Sequence, residues 1–163
     1  MAEKDERSIE ERIAIIRNFV PRLEALVQGL TPEQLTTQYN PPEWTIAQNV
    51  HHLVDSHVNS FMRFKLILTE DNPPLKSYDQ IKGTELADAR AAYIDDSLMI
   101  LRGLHSRWAR MLECIEDDEW GRYGTTMASD RKLTLDYLLS LYANHGDWHL
   151  QQIQDVIDKM PTE

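Results

Sequence analysis

The sequence holds a single cysteine, Cys114, so no intramolecular disulfide can form. It contains no apolar run near the roughly 20 residues needed to cross a bilayer. Its opening stretch, MAEKDERSIEER, lacks an apolar core and is rich in acids, unlike a secretory signal. A cytoplasmic protein without membrane contacts is expected. Basic side chains are scarce as well: 17 stand against 27 acidic ones, for a formal net charge of -10. That balance repels phosphate backbones and excludes general nucleic-acid binding from the expected functions. Internal repeats, low-complexity tracts and convincing period-two alternation are missing too, which points away from solenoids and from large sheets. What remains is 163 residues with 42% hydrophobic and 27% charged side chains, the profile of one globular domain over residues 1–163.

Helical spacing dominates. Ile13, Ile16, Val20, Leu23, Leu26 and Leu30 mark a first helix from about residue 9 to 30, which Pro21 should kink or restart. Thr31-Pro32-Glu33-Gln34 reads as a capping box opening a short helical turn. After the loop Tyr39-Asn40-Pro41-Pro42, a second long helix should run from about Thr45 to Glu70, with Thr45 and Gln48 as its capping box. Asp71-Asn72-Pro73-Pro74 stops it, and a long loop carrying Tyr78 follows to about Thr84. Leu98, Leu101, Leu104, Trp108, Met111, Leu112 and Ile115 place a third helix between about Asp88 and Ile115. Gly121 to Lys132 reads as loop, and Thr134 caps a final helix reaching about Lys159. The expected fold is all-α, a four-helix bundle whose loops are long enough for crossover connections.

Six histidines are present. His145 and His149, in the run HGDWH, lie four apart on the last helix, so their rings share a face one turn apart. That spacing suits two ligands of one ion. The run lacks the glutamate that follows the first histidine in helical metalloproteases, which disfavours peptidase chemistry. A third ligand must come from another helix, and the second offers His51, His52 and His57. His51 is rotated about 100° from His52, and periodicity does not choose among the three. Three neutral imidazoles would leave positions open for water or substrate. Such ligands suit both zinc and nickel. His105 is expected at the surface or in a structural role.

The order Trp44, Thr45, Gln48, His52, Leu53, Asp55, followed by the late pair His145 and His149, resembles the DinB/YfiT-like family of small bundle metalloproteins, most closely its YfiT branch. Asp55-Ser56-His57, Arg63-Phe64-Lys65-Leu66, Leu68-Thr69-Glu70 and Tyr78-Asp79 add to the likeness, which spans about residues 8–157. The resemblance implies an up-down-down-up bundle, often a homodimer, and a divalent ion on three histidines with water completing its sphere. It selects His52 as the third ligand. It also implies metal-dependent hydrolysis, or in some relatives transfer and isomerisation with a low-molecular-weight thiol as cosubstrate. Either chemistry needs an ion that activates water or a thiol.

Around such a centre, Gln48 and Asp55 are the candidate catalytic residues. Gln48 lies one turn before His52 and could reach a metal-bound water, or it could serve only the cap. Asp55 or Asn59 could orient an imidazole. Arg63, Lys65 and Tyr78 are candidates for binding an anionic cosubstrate, with ion pairs to the many acids as the alternative for the two cations. Asp147 should be exposed, Cys114 packed, and Trp44, Trp108, Trp120 and Trp148 anchors in the core or an interface. The expected function is a hydrolase or thiol S-transferase acting on a small molecule. The alternatives are a non-catalytic metal-binding stress-response or dimerisation module, and a helical scaffold.

Overall fold

Three of the four long helices begin at a hydroxyl that replaces a missing backbone acceptor. The structure, a computed structural model, describes residues 5–161, so the first four residues of the acidic opening lie outside the described part. Ser8 caps α1 (Ile9–Val27), and Glu11 returns the bond to the Ser8 backbone. Thr31 and Gln34 form the same box at α2 (Pro32–Thr36), as do Thr45 and Gln48 at α3 (Ile46–Thr69). Thr134 accepts from the Tyr137 amide at α6 (Leu135–Ile157). The fourth long helix, α5 (Asp95–Leu112), has no side-chain cap and places Asp95 and Asp96 in its first turn, where negative charge suits the helix dipole.

Pro21 neither ends nor restarts α1. It sits on an exposed face, where water can satisfy the carbonyl its missing N–H leaves free. The third long helix starts at Asp95, later than the expected start near Asp88. Residues 85–94 are turns and bends, and the periodic leucines begin only at Leu98.

Side-chain contacts give the helix directions. On α1, Arg12 meets Asp136 and Ser140 while Arg22 meets Asp147, so α1 and α6 run parallel. Arg17 pairs with Glu113, and Glu24 with Arg102, so α5 runs against α1. Asn49 meets His149 and Ser56 meets Tyr142, which sets α3 antiparallel to α6. The bundle is therefore up-down-down-up.

Parallel neighbours α3 and α5 need a return connection along the whole bundle. Residues 70–94 supply it, carrying β1 (Pro74–Leu75) and a short α4 (Gln80–Thr84) where a plain loop was expected. The connection climbs back over α3. Lys76 O accepts from Arg63 (2.9 Å), Thr84 O from Gln48 (2.9 Å), and Ala91 O from His51 (2.9 Å). At the other end, the expected loop from Gly121 to Lys132 contains β2 (Tyr123–Thr126), and β3 (Lys132–Thr134) follows. β2 pairs in parallel with β1, Leu75 opposite Thr126, and antiparallel with β3, Gly124 opposite Leu133. Strands of two to four residues are too short for alternation to register in sequence. A Cβ on Gly124 would lie 2.8 Å from Leu75 Cγ and Pro73 O, so only glycine lets the first two strands close. Arg122 then donates to Ile67 O (3.0 Å) and Glu70 O (3.1 Å), satisfying carbonyls at the end of α3.

The core has two apolar halves. One holds Ile16, Phe64, Ile67, Trp108, Leu112 and Leu138 near the sheet. The other holds Leu23, Ile46, Leu53, Leu101 and Ile153 at the opposite end. Between them lies a polar layer: Asn49, His52, Ser56 and His57 from α3, His105 from α5, and His145 and His149 from α6.

Candidate metal centre

Burying imidazoles in this layer keeps them neutral, because charge is costly away from water. Burial pushes His52 and His145 down to about 4. His149 is pushed to about 2, by burial and then by the neighbouring His145 and His52. All three can therefore offer lone pairs at neutral pH. One ring nitrogen from each lies within 4.8 Å of the other two. The structure thus brings together the three histidines that the sequence pattern singled out.

The proton positions follow from the partners. His149 Nδ1 lies 2.8 Å from Asn49 Oδ1, and Asn49 Nδ2 donates to Thr45 O (3.0 Å). The amide oxygen therefore faces His149, which donates from Nδ1 and keeps its Nε2 lone pair. His145 Nδ1 faces His57 Nε2 at 3.3 Å. His57 Nδ1 faces His105 Nε2 at 2.8 Å, and His105 Nδ1 donates to Ile16 O at 2.7 Å. Burial pushes His57 well down and His105 to about 4, so both are neutral. In that state each ring carries one proton, and the Ile16 carbonyl fixes the sense of the row: His105 accepts from His57, and His57 accepts from His145.

With His145 donating to His57, His145 Nε2 and His149 Nε2 face each other as two lone pairs, 3.2 Å apart. Two imidazole nitrogens bound to one ion at about 2.0–2.1 Å in tetrahedral geometry would stand about 3.3 Å apart. The donor set and its spacing fit a divalent cation.

Aromatic side chains frame the triad. Trp44 tilts against His52 with centroids 4.9 Å apart and lies nearly parallel to His149 at 6.1 Å. Trp148 meets His149 edge-on at 4.7 Å and is 58% exposed. The core-or-interface expectation holds for Trp108 and Trp120, which are buried, whereas Trp44 and Trp148 wall the imidazoles. The Tyr78 hydroxyl reaches 3.5 Å from His52 Nδ1, carried there by the crossover connection. Burial and then the charge of Asp55 push Tyr78 up to about 12, so its hydroxyl stays protonated.

The remaining candidates are placed as follows. Both ends of the Gln48 amide are occupied, by the Thr45 backbone and Thr84 O. Asp55 is exposed; partial burial of its carboxyl and the nearby Asp88 raise its pKa. Asn49 orients an imidazole, the role considered for Asp55 and Asn59. Arg63 lies under the connection near Tyr78. Lys65, about 200° further round α3, sits over the Phe61 ring (5.5 Å), so the two cations do not converge on one anion. His51 turns away to Ser97 (2.8 Å) and Ala91. His105 is buried, which overturns the surface option. Asp147 is half-exposed and paired with Arg22. Cys114, expected to pack, is exposed beyond the end of α5.

Pattern reading passed over Asn49, and it weighed His57 only as a ligand and His105 only as a surface or structural residue, without linking either to His145. Their signal was present: each is a polar residue inside an apolar stripe, His105 between Leu101 and Trp108 and Asn49 between Ile46 and Leu53.

The chain is similar to known proteins over most of its length. The DinB superfamily model matches residues 20–153. A Geobacillus thermodenitrificans protein whose name proposes a metal-dependent hydrolase is 41% identical over 148 residues, covering 91% of this chain and 83% of the relative. YfiT of Bacillus subtilis, with the same proposed activity in its name, is 36% identical over 148 residues with the same coverage. The solved structure of YfiT, reported with an unusual four-helix bundle topology, superposes with a TM-score of 0.91 at 33% identity over 98% of this chain and 91% of that one. A mycothiol-dependent maleylpyruvate isomerase shares the fold, with a TM-score of 0.71 at 13% identity over 91% of this chain and 61% of that one.

Proposed function

This chain belongs to the DinB superfamily, and on that premise we propose that it is a metal-dependent enzyme acting on a small molecule. His52, His145 and His149 would hold a divalent ion, zinc or nickel. One observation carries the reading: two imidazole nitrogens face each other 3.2 Å apart with their ring protons used elsewhere. Such a pair is electrostatically unsatisfied until a cation lies between them. A divalent ion there supplies Lewis acidity and lowers the pKa of water or of a thiol.

The protein's own groups would shape what reaches the ion. Tyr78 offers a hydroxyl donor beside His52, and Arg63 offers a cation for an anionic substrate or cosubstrate. Trp44 and Trp148 supply flat apolar walls that exclude water from one side. Gln48 would act through the α3 cap, holding the start of the helix that carries His52. Hydrolysis is the first reaction to test, because relatives at 36–41% identity bear that name. Thiol transfer is the second, suggested by the fold shared with the mycothiol-dependent isomerase. Zinc- and nickel-loaded protein should be screened with ester, amide and electrophile panels, each with and without bacillithiol, mycothiol or glutathione. Turnover that disappears in His149→Ala supports the proposal; no turnover by any loaded form counts against catalysis.

A non-catalytic reading has its own observation. The three ligands join antiparallel α3 and α6, so an ion would also staple the bundle. A chelator-induced fall in Tm without any activity would favour that module. We further propose a homodimer, a small-molecule substrate and a cytoplasmic setting. No helix among the described residues is long and apolar enough to cross a membrane.

A further inference from the structure

We propose that His57 and His105 are positioning residues that transmit the polarity of the Ile16 carbonyl to His145, so that His145 presents its Nε2 lone pair to the ion. The inference rests on the metal reading above and concerns residues that touch neither ion nor substrate. A backbone carbonyl can only accept, so His105 must carry its proton on Nδ1 to use the 2.7 Å contact with Ile16. A neutral His105 then accepts at Nε2, which forces the proton of His57 onto Nδ1. His57 in turn can only accept at Nε2, which favours the proton of His145 on Nδ1, since an Nε2–H His145 would leave two lone pairs facing each other at 3.3 Å. One acceptor at the end of the row thereby selects one tautomer at the other.

Among the described residues, the row inside the core has no competing partner; the one rival for the His145 proton is His149 Nε2 at 3.2 Å, against His57 Nε2 at 3.3 Å. His57 is 0% exposed and His105 2% exposed, and the direct contacts of 2.8 and 2.7 Å leave no space for water between the partners. Phe19, Trp108 and Tyr142 surround His57 at centroid distances of 5.2, 5.9 and 5.6 Å, and the Tyr142 hydroxyl meets Ser56 rather than the imidazole. Phe19 also stacks on His105 at 5.0 Å, holding both rings in line. It can do so because Gly146 leaves room: a Cβ there would lie 2.8 Å from Phe19 Cδ2. The glycine inside HGDWH thus belongs to the same device as His145 beside it. A ligand imidazole whose other nitrogen is fixed by a partner binds metal more tightly than one free to exchange tautomers.

The test uses metal-free protein labelled with 15N-histidine, read by long-range 1H–15N correlation, together with Zn2+ affinity by chelator competition. Wild type should show His145 as the Nδ1–H tautomer. His105→Phe removes the acceptor for His57; His145 should move toward Nε2–H, and Zn2+ affinity should fall about 10–100-fold. His105→Gln, whose amide oxygen can accept from His57, should retain the tautomer and recover most of the affinity, which a merely space-filling role would not predict. An Nε2–H His145 in wild type, or a His105→Phe protein unchanged in both readouts, overturns the proposal. If His105→Phe does not fold, the wild-type spectrum and His105→Gln still decide it. Zn2+ binding with an Nε2–H His145 in the metal-free form overturns the relay alone. The predicted tautomer in a protein that takes up no Zn2+ overturns the metal reading instead.

Discussion

The polar layer has two sides built from the same residue type. On one side His52, His145 and His149 lie beneath Trp44, Trp148 and Tyr78; on the other, His57 and His105 are sealed between α1, α3 and α5. Both sets are neutral and largely buried, so neither burial nor lowered basicity tells them apart. The difference is in the partners. Both nitrogens of His57 and His105 are engaged by fixed neighbours, whereas His145 and His149 turn a lone pair toward each other. A buried histidine is read as a ligand when one nitrogen has no protein partner to satisfy it.

Removing an imidazole from the open side should have the largest effect. His149→Ala should lose stoichiometric Zn2+ or Ni2+ altogether, while His51→Ala, whose ring turns away to Ser97 and Ala91, should keep it. Metal analysis after gel filtration checks both.

Acid should act on the two sides together. Their folded pKa values lie below that of an unfolded histidine, so the unfolded chain binds more protons as pH falls from about 6.5. Metal-free protein should therefore lose stability steadily as pH falls from about 6.5 toward 4, by about 1.4 kcal/mol per pH unit for each ring that stays neutral. Urea denaturation at pH 7.5, 6 and 4.5 measures it. A flat profile would show that these rings are not held neutral.

Asn49 links the open side to the cap of α3. Asn49→Leu removes the acceptor of the His149 Nδ1 proton and should weaken Zn2+ binding about 10–100-fold. Asn49→Asp should bind at least as tightly as wild type, and chelator competition compares them. On the sealed side, Gly146→Ala should cost a net ~1 kcal/mol, since overpacking against Phe19 exceeds the gain in helix propensity. A variant that melts higher than wild type would show that Phe19 has room to move.

The contrast between local and remote partners also explains what was legible in the sequence. The boxes at Thr31 and Thr45 and the cap at Thr134 are local, and the structure repeats each of them. The His145–His149 pair was legible because four residues on one helix define a face. The choice of His52 over His51 and His57 needed the family resemblance, since the ligand partner lies on another helix. His57 and His105 form their bond across 48 residues, and β1 reaches β2 across a similar separation, so no local pattern announces either. Turns, rather than helix, fill residues 85–94 because that segment spans the gap between parallel helices and lends Ala91 O to His51.

The central claim is that His52, His145 and His149 hold one divalent ion. Its most direct measurement is the metal content of the purified chain after supply with zinc or nickel, beside His52→Ala, His145→Ala and His149→Ala. The account predicts one equivalent per wild-type chain and none in any of the three variants. No stoichiometric metal in wild type under either supply, or an equivalent retained after all three substitutions, would contradict it.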